Sequence, residues 1–266
     1  MILRKMKYIN LSNVTKGLNK LKSQKIFPYS VVDNFFDKRT AKKLENEFPD
    51  YNDKNLHEYN NYCEVKKSSN NWNLFSRTTY KVFTILNSEE FTKLMSKKLK
   101  LPNIVGDPGL HGGGLHMMSK NGKLNPHLDY SLHPKMHLQR KFNLIVFLTN
   151  KWKNNFGGEL CFYLKNPKNK NLPGKLFKKI FPKFNRAVFF DTSKNSWHSV
   201  EPIKGKKTRK TIAAYYLIPV KNKLIKRERA LYAPMPKQIY NKKVLNFIKM
   251  RTSSKQFSKV YKTKKR

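Results

Sequence analysis

His127 and Asp129, in the stretch NGKLNPHLDYSLHP, carry metal-binding side chains and are separated by a single residue. In a helix, residues i and i+2 point in different directions, whereas in an extended strand they lie on one face. Pro126 disfavours a helix through this point. The two side chains can therefore reach one metal ion if the segment is extended, and the local sequence permits an extended segment.

A third ligand must come from another part of the chain, and His198 is the candidate. It lies in the stretch FFDTSKNSWHSVEPI, just after a strand-like run. Two imidazoles and one carboxylate on one side of a metal form a facial triad, typical of non-haem Fe(II) sites, which leaves the opposite side open. The sequence therefore predicts that His127, Asp129 and His198 are both the metal ligands and the catalytic centre.

Arg209 follows His198 in the apolar run TRKTIAAYYL, which has the composition of a strand. In a strand, Arg209 and Thr211 lie on the same face. An arginine inside a small barrel is costly unless it binds an anion, and its guanidinium can grip a carboxylate with two hydrogen bonds. We therefore expect Arg209 to bind a dicarboxylate cosubstrate, with Thr211 adding a hydroxyl group.

The elements that must position these residues are mainly strands. Short runs rich in β-branched and aromatic residues, separated by loops, predict a barrel or a double-sheet jelly roll. These runs are residues 141–149, 156–164, 186–192 and 209–218. The predicted fold class is mainly β (α+β), with a jelly-roll core.

The first hundred residues have a different pattern. Residues 27–32 predict a short strand, and residues 38–48 predict a helix with Asp33 or Asp37 as its N-cap. Residues 88–99 predict a second helix, with Ser88 as its N-cap. The polar segment 50–76 reads as a loop.

We expect three parts along the chain. Residues 1–100 would form a helical support, residues 101–220 the catalytic core, and residues 221–266 a basic extension. Within the extension, 241–250 predicts a short helix, and 252–266 is expected to be frayed.

The charge of the chain has two competing explanations. The 266 residues include 57 basic and 16 acidic residues, a formal net charge of +41 that favours nucleic acid or another acidic partner. However, only 10 of the basic residues are arginine, and asparagine occurs 28 times. Lysine and asparagine together are what an A/T-rich genome encodes, and proteins that read nucleic acid usually also use arginine. We favour compositional bias and leave nucleic-acid binding open.

The cysteine count and the hydropathy pattern predict the compartment. Cys63 and Cys161 are the only cysteines, so no disulfide framework is expected and a reducing compartment fits. The N-terminus lacks the apolar segment of a signal peptide, and no apolar run reaches the roughly 18 residues of a membrane span. We therefore expect a cytoplasmic protein with no membrane span.

The order His-x-Asp, distal His and then Arg resembles the 2-oxoglutarate/Fe(II)-dependent dioxygenases, and in particular their prolyl 4-hydroxylase-like branch. The resemblance covers roughly residues 105–220, and the stretches FPYSVVDNFF and RALYAP extend it towards both ends. It implies a double-stranded β-helix supported by N-terminal helices. It also implies that His127, Asp129 and His198 bind iron and that Arg209 binds the distal carboxylate of 2-oxoglutarate.

One position departs from the pattern of this branch. A tyrosine on the strand after His-x-Asp often bonds the same carboxylate, and the matching residue here is Phe147, which has no hydroxyl group. Thr211 or a water molecule would have to replace it. Asn143 lies on the same strand face as Phe147, so we expect both in the cosubstrate pocket. Asp129 stands where related halogenases have a small residue, which favours hydroxylation.

The resemblance implies hydroxylation of an unactivated C–H bond, with release of succinate and CO₂. Fe(II) would be the metal, 2-oxoglutarate and O₂ the cosubstrates, and ascorbate a further cofactor to test. Peptidyl proline is the substrate suggested by the branch; a free amino acid, a sugar derivative or another small molecule stays open. The competing hypotheses are a nucleic-acid oxygenase or demethylase, and a non-catalytic basic binding module on the same fold.

Three further residues could bind a metal or a substrate, but their spacing in the sequence supports this less well. His133 and His137 are four residues apart, like a helical zinc pair, but Pro134 occupies the position of the required glutamate. We read them as loop residues near the substrate or in solvent. Arg140 is interpreted as a surface charge, with substrate contact as the alternative.

Overall fold

A computed structural model describes residues 6–192, 195–220 and 227–253 of the chain. In this part of the chain, one curled antiparallel sheet is covered on one side by helices. The strands are β1 Tyr29–Val32, β2 His57–Asn60, β3 Glu64–Ser69, β4 Val105–Gly106, β5 Gly114–Met118, β6 Lys123–Leu128, β7 Gln139–Phe147, β8 Leu160–Lys165, β9 Pro173–Ile180, β10 Arg186–Asp191, β11 His198–Val200, β12 Arg209–Ile218 and β13 Leu231–Tyr232. The helices are α1 Leu11–Ser23, α2 Lys38–Asn46, α3 Arg77–Leu86, α4 Glu89–Leu99 and α5 Lys242–Thr252.

The sheet contains two four-stranded layers. One has the strand order β10-β7-β12-β5 and the other β6-β11-β8-β9, and β3 lies between them, paired with both β5 and β6. The remaining strands extend the layers: β1 on β10, β2 on β3, β4 on β12 and β13 on β6. This arrangement is a jelly roll, so the predicted fold class is confirmed.

Side-chain alternation along β12 separates the core from the site. Ile212, Ala214 and Tyr216 pack into the apolar cluster shared with the helices. Arg209 and Thr211, on the other face, point into a cavity between the layers. The period of two residues in a strand therefore places the polar residues of this run together on the inner face.

Two of the predicted helices are confirmed with their caps. Helix α2 begins after Asp37, whose carboxylate accepts the backbone N–H of Thr40 at 2.9 Å. Helix α4 begins after Ser88, whose hydroxyl accepts the N–H of Phe91 at 3.2 Å. Both contacts satisfy a backbone donor that has no partner within its helix.

The reading of residues 50–76 as a loop is wrong. This segment contains β2 and β3, and β3 pairs with two strands of the jelly roll. Except for Val65, the side chains of β3 are polar and show no apolar alternation, and Glu64 and Lys66 line the cavity rather than the apolar core. The first hundred residues therefore contribute strands as well as helices.

The C-terminal part contains α5 close to the predicted position 241–250. The expected frayed end, 252–266, lies almost entirely outside the described residues. The division of the chain into three parts stays a prediction. None of the helices in the described ranges is long and apolar enough to cross a bilayer.

Candidate functional site

The side chains of His127, Asp129 and His198 meet at one end of the cavity. His127 lies on β6 and is paired in register with His198, the first residue of β11. Asp129 follows directly after β6. One ligand atom from each residue can be chosen so that all three lie within 4.8 Å of one another. The Asp129 carboxylate lies near both rings, with its two oxygens 3.7 Å from the Nε2 atoms of His127 and His198 respectively.

Backbone carbonyl groups fix both imidazole rings. The Nδ1 atom of His127 lies 2.9 Å from the carbonyl oxygen of Asn125, and the Nδ1 atom of His198 lies 2.9 Å from that of Ser196. A ring that donates from Nδ1 keeps the proton there, so Nε2 is left as the electron-pair donor. Burial lowers the pKa of His127 to about 3 and also lowers the pKa of His198, which favours neutral rings.

Asp129 is held as a carboxylate by its neighbours. Burial alone would raise the pKa of this group, but the Arg140 guanidinium and the two imidazoles hold it well below its usual range. Asn143 donates from Nδ2 to Asp129 Oδ2 at 2.8 Å, and its own side-chain oxygen accepts from Arg140 Nε at 2.9 Å. Asn143 therefore links the carboxylate to the arginine.

Arg209 lies buried on another wall of the same cavity, with only 3% of its surface exposed. Its Nε donates to the carbonyl oxygen of Gly158 at 2.9 Å, while its Nη2 is buried without a hydrogen-bond partner. Gly158 has a φ of +78°, and a Cβ atom there would lie 3.1 Å from Arg209 Cδ, so glycine suits this turn. Burial lowers the pKa of Arg209 to about 9.

Thr211 and Phe147 are directly opposite each other on neighbouring strands. The Thr211 hydroxyl lines the cavity and lies 3.5 Å from the carbonyl oxygen of His116, a long and weak contact. The Phe147 ring is fully buried beneath the Arg209 guanidinium, which lies 4.8 Å from the ring centre. Asn143 lines the cavity together with Ile145.

Arg140 is a site residue that the sequence did not place correctly. It is 2% exposed rather than on the surface, and its guanidinium stacks 3.3 Å from the centre of the Tyr215 ring. Its Nη2 lies 3.5 Å from Asp129 Oδ2 and has no hydrogen-bond partner. A bulge in β7 explains the placement: Tyr216 pairs with Phe142 and Leu217 with Arg140, so one residue is skipped and the strand face switches.

The cavity has a volume of about 280 Å³, and its lining is rich in arginine. Four of the eight arginines in the described part of the chain line it, together with Lys66 from β3. The four are Arg140, Arg209, Arg229 and Arg251. Lysine dominates the basic residues of this chain, so a concentration of arginine is not explained by composition alone. Lys66 was missed because its segment showed no strand pattern.

The C-terminal segment closes one side of the site. The Tyr232 ring stacks on His127 with centroids 5.4 Å apart, and Arg251 from α5 contacts Glu64 at 2.6 Å. Arg227 Nε donates to the backbone oxygen of Asp129 at 2.6 Å. These contacts hold the residues around the candidate metal ligands from the side opposite β11.

The other two histidines of the sequence pattern lie outside the cavity lining. His133 is buried, and its Nδ1 accepts the N–H groups of Lys135 and Met136, so it stabilises a turn. His137 is exposed and adopts a positive φ of 52°.

The residues present fit both iron and an anionic cosubstrate. Two neutral imidazoles and one carboxylate are the donor set that suits Fe(II) with open positions. A buried guanidinium without a hydrogen-bond partner at Nη2 suits a carboxylate in the same cavity.

Comparison with known proteins agrees with this site. Residues 113–217 match the model of the 2OG-Fe(II) oxygenase superfamily. A prolyl 4-hydroxylase from Pseudomonas putida has a similar structure, with a TM-score of 0.57 and 12% identity over 78% of this chain and all of that chain. A prolyl hydroxylase from Trichoplax adhaerens, solved with a hypoxia-inducible-factor peptide, gives a TM-score of 0.52 and 14% identity over 77% and 89% of the two chains.

The comparison with curated protein sequences gave no match. At these identities the two solved structures establish the fold and not the substrate. The matched residues 113–217 include the three candidate metal ligands and Arg209. Over residues 113–217 the chain is therefore similar to the 2-oxoglutarate/Fe(II) oxygenase superfamily, and its fold resembles that of the prolyl 4-hydroxylases.

Proposed function

We propose that this protein is a hydroxylase that uses Fe(II), 2-oxoglutarate and O₂ to oxidise an unactivated C–H bond. The observation that carries the proposal is the convergence of His127, Asp129 and His198 on a cavity that also holds the unpaired Nη2 of Arg209. A metal site alone fits many functions. A metal site beside a buried, anion-binding arginine fits a dicarboxylate cosubstrate.

His127, Asp129 and His198 would hold the iron. The carbonyl groups of Asn125 and Ser196 keep the Nε2 atoms unprotonated and near the Asp129 carboxylate, so they would be free to bind the metal, and Asn143 keeps that carboxylate in place. Iron with 2-oxoglutarate supplies the oxidation of the C–H bond by O₂, with release of succinate and CO₂. The side chains supply orientation, charge and exclusion of water.

Arg209 and Thr211 would bind the distal carboxylate of 2-oxoglutarate. The Arg209 Nη2 is available because no described group accepts from it, and the Thr211 hydroxyl makes only a long contact. Phe147 offers an apolar support under the guanidinium in place of a hydroxyl group. We propose that Thr211, which faces Phe147 across the strand pair, supplies the hydrogen bond that Phe147 cannot.

The substrate would meet the wall formed by Arg140 and Lys66. Arg140 Nη2 lies 3.5 Å from Asp129 Oδ2 and has no hydrogen-bond partner among the described residues, so this donor is available to a substrate. A peptide carbonyl or a carboxylate on the substrate could accept from its Nη2. We propose peptidyl proline as the first substrate class to test, supported by the likeness in fold to two prolyl hydroxylases.

The experiment is a product search with the iron-loaded chain, 2-oxoglutarate and ascorbate, against proline-containing peptides and a panel of amino acids and sugars. We expect a product heavier by one oxygen atom, formed together with succinate. Omitting ascorbate tests its role. Asp191→Asn serves as a control that also loses a partly buried carboxylate and should still form the product, because Asp191 pairs with Lys141 and does not line the cavity. Absence of succinate with every substrate would contradict an enzymatic function and favour a binding module.

A further inference from the structure

A second concave site lies between the start of α2, the start of α3 and the N-terminal segment. It has a volume of about 480 Å³ and shares no lining residue with the catalytic cavity. Its lining contains five cationic side chains and no aliphatic one. The cations are Lys7, Arg39, Lys43, Arg77 and Lys81, and the other lining residues are Tyr8, Asp37, Thr40 and Thr78. We refer to it as the α2–α3 groove.

The acidic groups near the groove are already engaged. Asp37, the N-cap of α2, accepts from the N–H and the hydroxyl of Thr40. Glu47 accepts from the hydroxyls of Ser76 and Thr78, at 2.6 and 2.9 Å. Burial alone would raise the pKa of Glu47, but the hydroxyl contacts and the charge of Lys43 lower it below its usual value. Among the described ion pairs none involves a cation of the groove.

The positions of these cations are unfavourable for the free protein. Arg39 and Lys43 are four residues apart on α2, and Arg77 and Lys81 are four apart on α3. Like charges at this spacing destabilise a helix by about 0.2–0.5 kcal/mol per pair. Arg39 and Arg77 also lie in the first turns of their helices, where the helix dipole disfavours cations.

Composition alone does not explain the arrangement. Helix α5 also begins with two lysines, Lys242 and Lys243, so a basic first turn by itself indicates nothing in this chain. The groove differs because two such helix starts face the same concave volume. It also holds two of the eight described arginines, the residue type that the lysine-rich composition does not supply.

The N-terminal segment is fixed against the groove. The N–H of Asp37 donates to the carbonyl oxygen of Tyr8 at 3.0 Å, and the N–H of Asn10 donates to that of Phe35 at 2.8 Å. These hydrogen bonds hold the backbone beside Lys7 in position. The Lys7 side chain therefore adds its positive charge to the lining of the groove.

We propose that the α2–α3 groove binds a compact oligophosphate, meaning two or more linked phosphate groups, free or carried by a small molecule. Arginine forks and lysine ammonium groups are the donors that bind phosphate, and the volume is in the range of small-ligand sites. Tyr8 carries the one aromatic ring among the described lining residues and none of them is aliphatic, so the cationic groups dominate the lining and the phosphates themselves are what it recognises. This site is independent of the catalytic proposal.

The test is calorimetric titration of the full chain with sodium tripolyphosphate, at about 150 mM salt to screen weak surface attraction. Excess 2-oxoglutarate is present so that Arg209 is engaged. The groove variant is Arg39→Gln/Arg77→Gln. The control is Lys168→Gln/Lys175→Gln, which removes the same charge from exposed positions on and beside the β8–β9 hairpin.

We expect single-site binding that the groove variant weakens about tenfold or more, since a hydrogen bond to a charged group contributes enough for that factor. The control should bind within about twofold of the wild type. Equal weakening in both variants, or no binding by the wild type, overturns the proposal. If a single-stranded oligonucleotide binds and tripolyphosphate does not, the proposal is also wrong.

Thermal unfolding is a second measurement, which distinguishes loss of ligand binding from misfolding of the groove variant. Without ligand, Arg39→Gln/Arg77→Gln should unfold at a higher temperature than the wild type, because it removes unfavourable charge. Tripolyphosphate should raise the unfolding temperature of the wild type and the control, but not of the groove variant. A lower unfolding temperature for the unliganded groove variant contradicts the electrostatic reasoning. Turnover of 2-oxoglutarate should be unchanged in all three proteins.

Discussion

Replacing Arg209 by methionine separates cosubstrate binding from iron binding. The side chain is 3% exposed, makes one hydrogen bond to Gly158 through Nε, and leaves Nη2 without a hydrogen-bond partner. Hydrogen bonds to charged groups contribute about 1.5–3 kcal/mol, and each 1.4 kcal/mol changes affinity tenfold. Loss of the Arg209 contact should therefore raise the 2-oxoglutarate concentration needed for half-maximal turnover by about 10- to 100-fold.

The same variant should also change stability in an unusual direction. Burial lowers the pKa of Arg209 to about 9, which means that the folded protein disfavours the charged form. The unfolded chain binds this proton more tightly between that pKa and the ordinary value, so stability of the wild type should rise as the pH rises above about 9. Arg209→Met removes the buried charge and should unfold at a higher temperature than the wild type at neutral pH when 2-oxoglutarate is absent.

The assay is 2-oxoglutarate-dependent succinate formation, with iron content measured on the same samples. Arg186→Met is the matched control, because Arg186 pairs with Asp33 at 2.7 Å and does not line the cavity. The control should lose stability while keeping its requirement for 2-oxoglutarate. An Arg209→Met protein that keeps the wild-type 2-oxoglutarate requirement, or that loses iron together with 2-oxoglutarate, would refute the assigned role of Arg209.

Three further substitutions test separate contacts. Thr211→Val should raise the 2-oxoglutarate requirement by about threefold to tenfold, as expected for loss of one hydrogen bond, whereas an unchanged value in a titration of cosubstrate would exclude the hydroxyl contact. Asn143→Ala should weaken iron binding by about 10- to 100-fold because Asp129 loses its donor; equal affinity in a competition with a chelator would contradict that role. Arg140→Gln should keep iron and 2-oxoglutarate binding but lower product formation, and a wild-type rate would remove Arg140 from the substrate wall.

The placement of His127 and Asp129 on one side of the chain was predictable from sequence because it depends on local geometry. A proline before His127 and the two-residue period of a strand were enough to place His127 and Asp129 on one side. The structure brings them together with His198, since β6 and β11 pair at these residues. Helices α2 and α4 were predictable for the same reason, because an N-cap residue and an apolar stripe within the segment define each of them.

The rest of the site depends on contacts that sequence patterns do not contain. Arg140 reaches the cavity only because a bulge shifts the face of β7, and a bulge depends on the pairing with β12. Lys66 lies on β3, whose polar side chains resemble a loop until two neighbouring strands pair with it. Both residues belong to the wall that we assign to the substrate, so the sequence was least informative about substrate choice.

The most direct test of the central claim is the iron content and 2-oxoglutarate turnover of Asp129→Ala against the wild type. One oxygen of Asp129 lies 3.7 Å from each imidazole Nε2 atom, so Asp129 would complete the proposed ligand set. We predict about one iron per wild-type chain with succinate formation, as expected for a single facial triad, and loss of both in the variant. Asp129→Ala protein that retains iron and still releases succinate would contradict the assignment of the site.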